Sequence, residues 1–156
     1  MLGPVRAWRD AAELDLGQPK QRAVLAALLV AEGAQVSLED LIDGVWGAAA
    51  PATAVRVIRS YIYRLRLVLG RDGPGSIRSA GGGYLLETGQ LFDLACFTDL
   101  AGRARRARRD GDLAAAALCF AEGLGLWAGT ALTGVPGPYA AAQRTRLDEL
   151  RLGVQE

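Results

Sequence analysis

The chain has 156 residues, 51% of them apolar and 22% charged, enough for one large domain or two small ones around a buried core. It contains no histidine and only two cysteines, Cys96 and Cys119, which excludes Ser-His and Cys-His nucleophilic chemistry, HExxH metal sites and a zinc cluster. Eighteen basic residues offset seventeen acidic ones, yet residues 51–80 carry six arginines against one aspartate, Asp72, a local balance of +5 that leaves −4 on the rest.

In chain order, residues 2–8 and 13–16 read as short strands joined by the polar turn Arg9-Asp10. Gly17 to Ala31 is predicted as the first helix, with Pro19 in its first turn, where a missing N–H costs little, and Gly33 just past its end. Ser37, with Asp40 three residues on, opens a second helix as a variant capping box. Leu38, Leu41, Ile42 and Val45 give that helix its i, i+3, i+4, i+7 stripe, which ends at Trp46-Gly47.

A third helix is expected over about residues 52 to 69. Helical spacing puts Ile58, Ile62, Leu65 and Leu69 on one stripe, flanked by Ala54, Val55 and Tyr61. Thr53, Arg56, Ser60, Tyr63, Arg64 and Leu67 fall on the opposite side, with Arg59 and Arg66 along one edge. The outward face is cationic and hydroxyl-bearing and has no acid, whereas an ordinary solvated face mixes both signs. That pattern points to nucleic acid.

Ser76–Ser79 and Tyr84–Glu87 read as two strands around Gly81-Gly82-Gly83, where glycines permit the positive φ of a tight hairpin. The triplet lacks the spacing of a phosphate loop and precedes a strand rather than a helix. Strands, three helices and a hairpin are the order of a winged helix-turn-helix, whose third helix enters the major groove.

After Gln90 the composition turns to Ala, Leu and Arg. Asp93 is expected to cap a helix to about Arg109, Gly111-Asp112 ends it and caps the next, and Leu113 to Trp127 follows. Leu94, Phe97, Leu100 and Ala101 can meet Leu113, Ala117, Phe120 and Leu124 in an antiparallel hairpin of tetratricopeptide type. The arginines from Arg103 to Arg109 fit a solvated helix C-terminus, favourable to the macrodipole, better than a second DNA site. Ala128 to Pro138 links to a last helix, Tyr139 to about Val154. Its stripe of Tyr139, Leu147, Leu150 and Leu152 needs cover, so Leu147 and Leu150 are expected to be buried against the hairpin of residues 94–127. The brief segment Glu87 to Gln90 predicts that this hairpin docks on the winged unit. The fold class is therefore an α+β winged helix-turn-helix, residues 1–90, followed by an all-α tetratricopeptide-like domain, residues 91–156.

No uninterrupted apolar run exceeds the nine residues of Leu113 to Ala121, well under the roughly 20 that cross a membrane. The opening residues Met1 to Arg6 turn polar at once, so no signal peptide is expected, and two cysteines in apolar helical contexts suit a reducing cytoplasm.

With these elements placed, the chain resembles the Streptomyces antibiotic regulatory protein family of transcriptional activators. The resemblance rests on Leu2-Gly3-Pro4, Pro19-Lys20-Gln21-Arg22, Leu41-Ile42-Asp43, Trp46-Gly47, Tyr61-Ile62-Tyr63-Arg64-Leu65-Arg66 and Gly83-Tyr84-Leu85-Leu86. In the second half it rests on Phe92-Asp93-Leu94, Gly111-Asp112, Leu126-Trp127 and Leu147-Asp148-Glu149-Leu150-Arg151. It implies an OmpR-type winged helix that binds direct repeats in promoter DNA as two side-by-side protomers and recruits RNA polymerase holoenzyme, for a secondary-metabolite cluster. It places DNA contacts at Arg56, Tyr63, Arg64 and Arg66. The loop Ala48, Ala49, Ala50 and Pro51 is implied to face the polymerase.

The family commonly has serine where Tyr63 stands and a basic residue where Leu67 stands, and its wing carries prolines or an arginine where this chain has glycines. Its activation domain continues for several more helices, so the chain is expected to be part of a longer one. The full candidate set is Thr53, Arg56, Arg59, Ser60, Tyr63, Arg64 and Arg66 on the third helix and Arg78 on the wing. No cofactor is expected and no enzyme: the carboxylates Asp148 and Glu149 point about 100° apart on a helix. The alternative is a protein-interaction module, whose face would more often expose apolar anchors than an acid-free cationic surface.

Overall fold

The computed structural model describes residues 1–88 and 92–155. The centre of the molecule is helix α1, Pro19–Val30, in which six consecutive residues from Ala23 to Leu28 are buried. A helix apolar all round must be covered on every side. Helices α2 (Leu38–Trp46), α3 (Ala54–Leu69) and the last helix, α6 (Pro138–Gln155), all pack on it. Its entry is fixed by the Gln21 side-chain amide, which is buried and donates to the Leu16 carbonyl at 3.0 Å.

Strands β1 (Trp8–Arg9) and β2 (Ala12–Glu13) form a small antiparallel hairpin. Its turn is Asp10-Ala11, both with positive φ, one residue beyond the turn expected at Arg9-Asp10. The predicted strand over residues 2–8 is also shorter than expected. Its first residues pair instead with the link after the helical hairpin: Ala128 N–H donates to the Leu2 carbonyl at 2.8 Å, Leu132 N–H to the Met1 carbonyl at 3.1 Å, and Pro4 bridges Thr133.

A three-stranded sheet runs in the order β3-β5-β4, from β3 (Val36–Ser37), β4 (Ile77–Ala80) and β5 (Gly83–Leu86). The expected hairpin is present, with Gly81 and Gly82 at positive φ in a two-residue turn. Strand β3 was not anticipated. It pairs Val36 with Tyr84 and Ser37 with Gly83, and the approach is so close that a Cβ on Gly83 would lie 2.1 Å from the Val36 carbonyl oxygen. Ser37 caps α2 as expected, accepting from Asp40 N–H at 3.0 Å, but the Asp40 carboxylate accepts from the Ser37 hydroxyl rather than from the cap's backbone.

Helices α4 (Asp93–Arg109) and α5 (Leu113–Gly125) form the antiparallel hairpin, with Asp112 capping α5 through Ala115 N–H at 2.9 Å. Gly123 is buried against Phe97 and Leu100, and Phe97 meets Trp127 edge to face at 5.4 Å. Asp93 is not the cap expected of it. Phe92 occupies that position, and the Asp93 carboxylate takes the Met1 amino group and Leu2 N–H, the latter at 2.6 Å.

One apolar core runs through both halves, from Leu2, Val24, Ile58 and Leu65 to Phe97, Leu132 and Leu147. Leu147 is fully buried, as expected, while Leu150 is only half-buried, and α6 lies on α2 and α1 as well as on α5. The winged unit is therefore a direct partner of that helix. Gly137 and Gly44 make the contact possible: a Cβ on Gly137 would sit 2.5 Å from the Gly44 carbonyl oxygen, and one on Gly44 3.1 Å from the Tyr139 Cβ. Leu152, in contrast, is exposed. The expected boundary between residues 90 and 91, and half of the segment Glu87 to Gln90, lie outside the described residues.

Candidate nucleic-acid interface

Helix α3 has two opposite faces. Ala54, Ile58, Tyr61, Ile62 and Leu65 are buried, which anchors the helix on α1 and α2. Thr53, Arg56, Arg59, Tyr63 and Arg64 are exposed and Ser60 is half-exposed, so these candidates share one solvent face. Among the described residues, Arg56, Arg59 and Arg64 make no ion pair and no side-chain hydrogen bond. Three cations without counterions on one helix face form a strong positive field.

Two arginines of the candidate set are engaged within the chain. Arg66 donates from Nε to the Ile77 carbonyl at 2.9 Å and from Nη2 to Ser79 Oγ at 2.9 Å, and its guanidinium lies 5.7 Å from the centre of the Tyr84 ring. It ties the wing strands to α3. Arg78, on β4, pairs with the Glu87 carboxylate at 2.8 Å on an exposed part of the wing. A surface pair of this kind is held weakly and can exchange partners.

The C-terminus of α3 is held from the other side by Arg9, which donates from Nη2 to the Val68 and Leu69 carbonyls at 3.1 and 2.8 Å. The helix is thus clamped at its far end by the N-terminal hairpin and along its edge by the wing. Its near end follows an exposed loop. Gly47–Ala49 form a single 3-10 turn, and Ala48, Ala49, Ala50 and Pro51 are all exposed. Val55 and Leu67, left out of the site by the sequence reading, are exposed apolar side chains on the same helix. Helical spacing puts Leu67 on this outward face, as observed, but it puts Val55 beside the buried stripe, where the structure leaves it exposed.

A family model described as "Transcriptional regulatory protein, C terminal" matches residues 12–86, and one described as "Bacterial transcriptional activator domain" matches residues 92–156. The regulatory protein AfsR of Streptomyces coelicolor is 49% identical over 159 residues, covering all of this chain and 16% of AfsR. The regulatory protein DnrI of Streptomyces peucetius is 34% identical over 166 residues, covering all of this chain and 61% of DnrI. A solved structure of Mycobacterium tuberculosis EmbR in complex with a low-affinity phosphopeptide superimposes with a TM-score of 0.92 at 28% identity, covering 99% of this chain and 42% of that one. The chain thus spans a minor part of AfsR and of EmbR. Fold and matches together define a winged helix-turn-helix joined to a helical activator domain, the architecture of a transcriptional regulator. The chain belongs to the Streptomyces antibiotic regulatory protein family.

Proposed function

We infer that the chain binds promoter DNA sequence-specifically through α3 and activates transcription by recruiting RNA polymerase holoenzyme. The observation that carries this reading is the acid-free face of α3, where Arg56, Arg59 and Arg64 lie open and unpaired. Arginines of this kind supply phosphate contacts and bidentate contacts to guanine, while Thr53 and Ser60 offer hydroxyls and Tyr63 its ring to base edges. Arg66 acts from the edge of that face by positioning the wing, and Arg78 meets the backbone by exchanging its Glu87 partner for a phosphate.

Two protomers sit side by side on direct repeats, in a cytoplasmic protein without cofactor or catalytic role, and the regulated genes belong to a secondary-metabolite cluster. The names of AfsR and DnrI as regulatory proteins, and of the activator-domain model, support the role in transcription regulation. The exposed loop Ala48 to Pro51 is the surface offered to the polymerase, since it flanks the DNA-facing helix and carries no charge to compete for phosphate. Footprinting on genomic fragments tests the proposal. Protected sequences in regularly spaced direct repeats support it. Uniform protection without sequence preference contradicts it.

A further inference from the structure

The exposed face of α3 is not uniformly cationic. Helical spacing places Arg56, Tyr63 and Leu67 within about 20° of one line down its centre, with Arg59 and Arg64 roughly 60–80° to either side. Tyr63 and Leu67 are each 59% exposed, one turn apart, and lie over the C-terminal half of the helix. A helix seated in a major groove turns its centre line to the base edges and its flanks to the two phosphate walls. The flanks here carry the arginines that suit phosphates. The centre line begins with an arginine and ends with two adjoining side chains, the aromatic ring of Tyr63 and the aliphatic Leu67.

Base edges in the major groove present hydrogen-bond donors and acceptors and a single apolar group, the C5 methyl of thymine. Leu67 has no polar atom in its side chain, so a contact with a base edge there gains only from an apolar partner. We propose that Tyr63 and Leu67 form a thymine-methyl reader, so that the half of each target site under the C-terminal part of α3 is specified by thymine and the half under Arg56 by guanine. This rests on the DNA-binding reading of α3 and adds to it the identity of the bases read. Both side chains project into solvent from a helix anchored by other residues, so either can be truncated without loss of the core.

Replacing thymine by uracil removes the methyl and nothing else, and that is the probe. Duplexes are first selected from a random pool with the whole chain, and each thymine in the selected site is then exchanged for uracil in turn. At one or two positions the exchange is expected to weaken binding about three- to fivefold, the worth of one buried methyl-sized group. Leu67→Ser should bind the thymine duplex more weakly and no longer distinguish it from the uracil duplex, while Arg64→Ala should keep the distinction at lower affinity. A strongly selected site that contains no thymine, or in which every uracil duplex binds as well as its parent, overturns the thymine reader and leaves DNA binding intact. Selection of no duplex at all overturns both.

Discussion

Arg66 donates from Nε to the carbonyl oxygen of Ile77, 2.9 Å away, and so joins α3 to the first strand of the wing. With the second bond to Ser79 Oγ, it sets where the wing lies relative to α3. Arg66→Ala should cost about 1–2 kcal/mol of stability, the range for two hydrogen bonds from a charged, half-exposed donor. Chemical denaturation measures it, and faster amide exchange in Ile77–Ala80 should accompany the loss. Arg66→Lys should recover little, because an ammonium lacks the planar fork that reaches both acceptors.

The neighbouring glycines separate two kinds of constraint. Gly83→Ala would drive a Cβ into the Val36 carbonyl, which belongs to backbone and cannot turn aside, so the β3–β5 pairing should fail at a cost of at least about 2 kcal/mol. Gly82 has φ +86 with open space around its Cβ position, so Gly82→Ala should cost only about 1–2 kcal/mol, from backbone strain alone. Thermal unfolding of the two variants should rank them in that order.

How much of this was legible in the sequence depended on how far apart the interacting residues lie. The long amphipathic helices and the wing were readable because apolar spacing and glycines are local signals. Strand β3 was not, since two residues hold no periodicity and Val36 is a strand only by virtue of Tyr84. The role of Asp93 was misread for the same reason: a carboxylate at a helix start looks like a cap, and only the fold brings Leu2 to it. Arg66 illustrates a third limit. Helical spacing gives the direction of Cβ, but a long side chain can bend back, and this one reaches the wing from the edge of the face.

Burial of Leu147 beneath both halves predicts that they unfold together. Leu147→Ala should destabilise by about 2–5 kcal/mol. Exchange protection in α1 and in α4 should fall in one transition, and proteolytic cutting between Glu87 and Asp93 should leave two pieces that stay associated. Two separate transitions would contradict the shared core.

Tyr139 packs on α2, and burial raises its pKa above the ordinary 10.0. The folded chain therefore prefers the neutral phenol. Its contribution to stability is complete below the unfolded pKa and is lost as pH rises through the folded one. Stability should decline above about pH 10, and Tyr139→Phe should lessen that decline. Denaturation midpoints measured across the alkaline range check it.

Whether the face of α3 binds duplex DNA through its open arginines is read from the salt dependence of affinity. Each phosphate contact releases condensed counterions, so the slope of log K against log salt counts the contacts. With a duplex carrying the selected site, the slope should be steep and become shallower by about one in Arg64→Ala, which loses a phosphate contact, with affinity at least several-fold weaker in both Arg64→Ala and Arg56→Ala. Unchanged affinity together with an unchanged slope in both variants would contradict DNA binding through this face.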